Sequence, residues 1–148
     1  MKQYYIPYFP GLKKYNYLPV LYFWITAEYN KESKLYDKIT FQSLEDLAGK
    51  INAAAGETVL SKSTLSRILN NEEYNRYFTY DRANKEIILK NNFRSKPGAK
   101  ENQSFVVLSA AEISYLVRSQ DSLLIQYFFY LRYACGISKS KTTDSTAK

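Results

Sequence analysis

Between Ser43 and Leu89 three sequence patterns follow one another with almost no spare residues, and together they restrict how this stretch can fold. Leu44, Leu47, Ala48, Ile51 and Ala55 repeat at the spacing of one helical face, and Gly56 follows as a natural stop. Ser43, with Asp46 in place of the usual glutamate, supplies a capping box at the start. After the bridge 57–60, Leu65, Ile68 and Leu69 fall at i, i+3 and i+4, with Ser61 placed to cap a second helix. Then Tyr77-Phe78-Thr79-Tyr80 and Glu86-Ile87-Ile88-Leu89, β-branched and aromatic, flank Asp81-Arg82-Ala83-Asn84-Lys85 and predict strand, turn, strand.

The polar side of the second helix carries the chemistry. Lys62, Ser63, Ser66, Arg67 and Asn70 point away from its apolar stripe, and Asn71 follows. Arginine and asparagine make the bidentate contacts that distinguish guanine and adenine edges in a major groove, while serine and lysine hold phosphates. An ordinary surface helix would also solvate its polar side, so the neighbours decide between the two readings. The hairpin tip adds Arg82, Asn84 and Lys85, and from 62 to 100 the basic residues Lys62, Arg67, Arg76, Arg82, Lys85, Lys90, Arg94, Lys96 and Lys100 outnumber Glu72, Glu73, Asp81 and Glu86. The whole chain has a formal charge of +7, which favours a polyanionic partner.

Ser61-Lys62-Ser63-Thr64-Leu65-Ser66-Arg67-Ile68-Leu69-Asn70 looks like the recognition helices of bacterial repressors of the lac type, and the order of elements from 18 to 90 resembles a winged helix-turn-helix domain. The repressor likeness covers 61–70 alone. The connection before it is longer than the repressor turn, and a wing follows where that family has a hinge. Domains of this kind, in tandem, resemble plasmid and phage replication initiators and replisome organisers of bacteria. The resemblance implies a mainly α fold with a small β wing, a winged helix-turn-helix followed by a C-terminal helical extension. It also implies sequence-selective binding of double-stranded DNA, as in an initiator or a transcription regulator. Lys62, Ser63, Ser66, Arg67, Asn70 and Asn71 would then enter the major groove, and Arg82, Asn84 and Lys85 would touch the backbone or minor groove.

The flanking segments fit around this unit. Pro19 predicts the start of an apolar helix over 20–29, and 37–41 predicts a short strand pairing with the wing. Residues 1–17, rich in tyrosine, read as an arm packed on the body, completing a domain over 1–90. A basic linker is expected over 91–104. Beyond it come a strand at 105–108, a capping box at Ser109-Ala110-Ala111-Glu112 opening a helix, and a second helix capped by Asp121 and ended by Gly136. That last helix is hydrophobic nearly all round yet too short to span a bilayer, so it either packs on the first domain or forms a homodimer through Leu123, Tyr127, Phe128 and Leu131. Tyr127-Phe128-Phe129 echoes Tyr22-Phe23-Trp24, so 105–136 reads as an extension or the first part of a second winged helix, and 137–148 as a polar tail cut short.

Missing residues exclude several chemistries. With no histidine and only Cys135, a zinc site, a Ser-His-Asp triad and a Cys-His pair are unavailable, so no enzyme activity, cofactor or metal is expected. Cys135 within an apolar helix predicts a buried thiol and a reducing cytoplasm, and the first residues lack the apolar run of a signal peptide. Two other functions fit the composition. One is a protein-interaction module of a phage or replisome assembly factor, contacting partners through Tyr4, Tyr5 or Tyr8. The other is single-stranded nucleic-acid binding by tyrosines beside arginines.

Overall fold

The computed structural model describes residues 2–8, 16–32, 34–75, 77–90 and 104–146, with backbone alone at 104 and over 136–146. The linker residues 91–103 and Arg76 lie outside the described residues. Near the N-terminus Tyr4 and Ile6 turn inward while Gln3 and Tyr5 face out, and this two-residue period opens a strand, β1, Gln3–Tyr8, whose last two residues Pro7 and Tyr8 are both buried. Helix α1, Leu18–Trp24, opens on Pro19 and buries every residue from Pro19 to Trp24. It stops short of the predicted Tyr29. The Thr26 hydroxyl donates to the Phe23 carbonyl at 3.1 Å, and the chain turns into β2, Glu28–Asn30. Strand β3, Leu35–Thr40, returns antiparallel to β2.

Helices α2, Leu44–Ala55, and α3, Lys62–Leu69, follow as the apolar spacing predicts. A short 3-10 turn, Glu72–Tyr74, leads to the hairpin of β4, Phe78–Asp81, and β5, Glu86–Leu89. The last elements are β6, Ser104–Ser109, α4, Ala110–Ser119, and α5, Ser122–Thr146. The capping box at Ser109 is complete: its side chain accepts from the Glu112 amide, and Glu112 accepts from the Ser109 amide at 2.8 Å. Asp121 accepts from the amides of Leu123 and Leu124, both at 3.1 Å.

The predicted mainly α fold with a small wing is corrected here. Among the described residues the five helices share the chain with six strands in two antiparallel sheets, ordered β2-β3-β5-β4 and β1-β6. The extra strands come from segments whose pattern was read otherwise: β1 from the tyrosine-rich arm, β2 from the presumed end of α1. Strand β3 does pair with β5, Ile39 standing opposite Ile87, so the hairpin is anchored to the body by the short strand expected at 37–41.

One apolar cluster runs through all of this. It joins Tyr4 and Ile6 of β1, Leu21, Phe23 and Trp24 of α1, Leu47 and Ile51 of α2, and Leu65 of α3 to Val106, Leu108, Ile113, Leu116, Ile125 and Phe129 near the C-terminus. Residues 105–129 therefore complete the same core as the helix pair. In β1 and β6, Tyr4 faces Leu108 and Ile6 faces Val106, which joins the N-terminal strand to a segment about a hundred residues later. The backbone of α5 runs on through Gly136, whose cost of roughly 1 kcal/mol in a helix interior is too small to stop a helix by itself. Cys135, predicted buried, is exposed. No helix among the described residues is long and apolar enough to cross a membrane.

Candidate nucleic-acid interface

The orientation of α3 is set by the connection that precedes it. Gly56 caps α2 in the left-handed region, φ 90° and ψ 0°, which glycine enters without the steric cost of a β-carbon. Asn52 then holds the returning chain. Its carboxamide oxygen accepts from the amides of Val59 at 2.8 Å and Leu60 at 3.0 Å, and its nitrogen donates to the Leu60 carbonyl at 3.0 Å. From the other side, Arg118 donates to the Ala55 carbonyl at 2.7 Å and Ser114 to the Ala54 carbonyl at 2.9 Å, so α4 satisfies the end of α2. Leu60 is buried at the end of this clamp, and α3 begins at once.

The Ser61 side chain accepts from the Thr64 amide at 3.2 Å and caps α3. Leu65, Ile68 and Leu69 are buried, each contributing about 2 kcal/mol by leaving water. Lys62, Ser63 and Arg67 are exposed and Ser66 is half-buried, so the predicted division of the helix into two sides is what the fold presents. Arg67 donates to the Thr64 hydroxyl at 3.3 Å, which keeps its guanidinium along the helix surface.

The β4–β5 hairpin stands beside the C-terminal end of α3. Arg82 donates to the Asn70 side-chain oxygen at 2.9 Å, and its guanidinium lies 5.9 Å from the centre of the Tyr80 ring. The Asn70 nitrogen donates in turn to the Ser66 carbonyl at 2.8 Å, so one carboxamide ties hairpin to helix. At the tip, Asp81 accepts from the Asn84 amide at 3.0 Å and from the Asn84 side chain at 2.8 Å. These bonds hold the Asp81 carboxyl below its ordinary pKa. Lys85 closes the turn in the left-handed region at φ 53°, its carbonyl accepting from the Phe41 amide at 3.1 Å. Its side chain is exposed.

Of the nine residues singled out from sequence, Lys62, Ser63, Ser66, Arg67 and Asn70 lie on α3 or its cap, and Arg82 and Lys85 lie on the hairpin tip, with Arg82 bonded to Asn70. The other two have structural tasks. Asn71 accepts from the Glu73 amide at 3.0 Å and caps the 3-10 turn, and Asn84 orders the hairpin tip through Asp81. Glu72 and Glu73 are exposed next to Asn71, so the residues just after α3 are acidic, whereas α3 itself carries Lys62 and Arg67 and the hairpin sets Arg82 and Lys85 against Asp81 and Glu86. Between the end of α3 and the hairpin lies an open groove of about 400 Å³ lined by Leu69, Asn75, Phe78, Thr79, Tyr80 and Lys90.

Sequence reasoning missed Asn52, Arg118 and Tyr80, the residues that position this surface. Asn52 sits on the polar side of an amphipathic helix, and nothing in its spacing marks it. Arg118 acts from a segment distant in sequence. Tyr4 and Tyr8, expected as partner contacts, are buried in the core, and only Tyr5 of the three is exposed. No group of residues that could hold a metal ion occurs among the described residues. Comparison of the chain with protein-family models, with characterised proteins and with solved structures finds no match.

Proposed function

We propose that the chain binds double-stranded DNA, with α3 lying in the major groove and the β4–β5 hairpin on the adjacent backbone. The Arg82–Asn70 hydrogen bond carries this reading, because it fixes the hairpin tip, with Arg82 and Lys85, against the basic helix α3. Lys62 and Ser63 in the first turn of α3 and Arg67 in its last turn reach base edges and phosphates, and Ser66 lies alongside. Lys85, together with Arg82, meets the sugar–phosphate backbone, and the open groove beside Lys90 gives that backbone room. Glu72 and Glu73 repel phosphate and bound the surface just beyond Asn71. Such a surface serves replication initiators and transcription regulators alike.

Selection of bound sites from random duplexes, followed by titration at fixed salt, tests the reading. Arg67→Ala is expected to cost about 1–3 kcal/mol on the selected site and to relax its sequence preference. Lys85→Ala is expected to weaken all duplexes alike and to reduce the salt dependence by about one phosphate contact. If both variants bind as the unaltered chain does, or if single strands outcompete every duplex, the proposal fails.

A further inference from the structure

Helix α5 is apolar on two opposite sides. Ile125 and Phe129 are fully buried against the core, and Phe128 and Tyr133 are packed partly against it. Arg132 also faces the body. It donates to the Val107 carbonyl at 2.9 Å, pairs with Glu112, and its guanidinium lies 5.0 Å from the centre of the Phe128 ring. The opposite side meets solvent. Leu123 is 77% exposed, Tyr127 65%, Tyr130 55%, Leu131 46% and Leu124 39%. These five residues recur at helical spacing, and Tyr127 and Tyr130 place their rings 6.5 Å apart. Phe128, expected at an interface, belongs to the inner side.

We infer that this outer side of α5 joins a second copy of the chain. Two observations select that occupant. The first is area: the five side chains leave on the order of 600 Å² in water, and two such faces together remove ~1,200 Å², the lower end of specific interfaces. The second is charge. The chain carries +7, so two copies repel over most of their surfaces. Over 122–135 the outer side has no ionisable group of either sign except the Cys135 thiol and the tyrosine hydroxyls, the single cation there, Arg132, being turned to Glu112. Two copies therefore meet over 123–131 without like-charge cost, Lys139 and Lys141 lying further along the same helix.

The test uses the full chain without DNA, so its outcome does not depend on the proposed DNA binding. Sedimentation velocity over ~1–100 µM, the range suited to an interface of this size, is expected to show a monomer–dimer equilibrium. Tyr127→Lys and Leu131→Lys each place like charges across the two-fold contact and are expected to raise the dimer dissociation constant at least ~10-fold. Thermal unfolding of the diluted variants should match that of the parent, because both positions are exposed. Tyr115→Lys, an exposed position on α4 outside this side, should leave the equilibrium unchanged. A chain that stays monomeric throughout overturns the inference, as does a dimer indifferent to Tyr127→Lys or equally weakened by Tyr115→Lys. Uptake of monomer by phosphatidylcholine vesicles that Tyr127→Lys abolishes would assign the face to lipid and overturn it equally.

Discussion

Lys85 occupies a backbone conformation that disfavours it, and that makes its two effects separable. At φ 53° a lysine carries the left-handed cost of roughly 1–2 kcal/mol that a glycine would not. Lys85→Gly is therefore expected to stabilise the folded chain slightly, by up to ~1 kcal/mol in denaturant titration, while weakening duplex binding as Lys85→Ala does. Opposite signs on folding and binding would mark the side chain as kept for its charge; equal signs would mark it as part of the hairpin's stability. Asn70 and Arg82 carry a different lesson. Both were legible as polar, exposed residues, but their mutual hydrogen bond spans twelve positions, and spacing alone does not show which polar residues will meet.

At the scale of elements, the helix pair was readable because its physics is local. Leu47, Ala48, Ile51 and Ala55 on α2, and Leu65, Ile68 and Leu69 on α3, are buried at the positions the 3.6-residue period selects. The angle between the helices is not local. It rests on Asn52, whose loss leaves the Val59 and Leu60 amides and the Leu60 carbonyl without that partner in a partly buried turn. Asn52→Ala is expected to lower stability by about 1–3 kcal/mol in chemical unfolding at constant salt, with Asn52→Asp losing less because it retains the acceptor. The missed strands have a comparable cause. Strand β2 is three residues long and acquires its identity from pairing with β3, and the two-residue period of β1 was masked by inward- and outward-facing residues that are both tyrosine.

For the whole molecule, the joining of β1 to β6 and the seating of α4 against α2 make the C-terminal third part of the same core. Glu112 links these parts: it caps α4 through the Ser109 amide and pairs with Arg132 of α5. The bonds from Arg132, then those from Ser109, hold its carboxyl below the ordinary glutamate value against the opposing effect of burial. In the unfolded chain that carboxyl takes up its proton at higher pH than in the folded one. Its contribution is therefore complete above the unfolded value, near 4.3, and is lost as pH falls through the lowered folded value. Glu112→Gln is expected to lower stability at neutral pH and to flatten the loss on acidification, as read from thermal unfolding at a series of pH values. An unchanged acid slope would place the acid sensitivity elsewhere, with Asp81 the next candidate because it too is held below its ordinary value.

The sequence alone determined the helix pair, the hairpin, their caps and the basic character of α3, since each depends on residues within a few positions of one another. The mixing of α and β, the pairing of β1 with β6, the meeting of Asn70 with Arg82 and the placement of α5 with one apolar side buried and the other presented arise only once the chain is folded. Those outcomes depend on groups far apart in sequence competing for the same partners, and periodicity carries no record of which partner is reached.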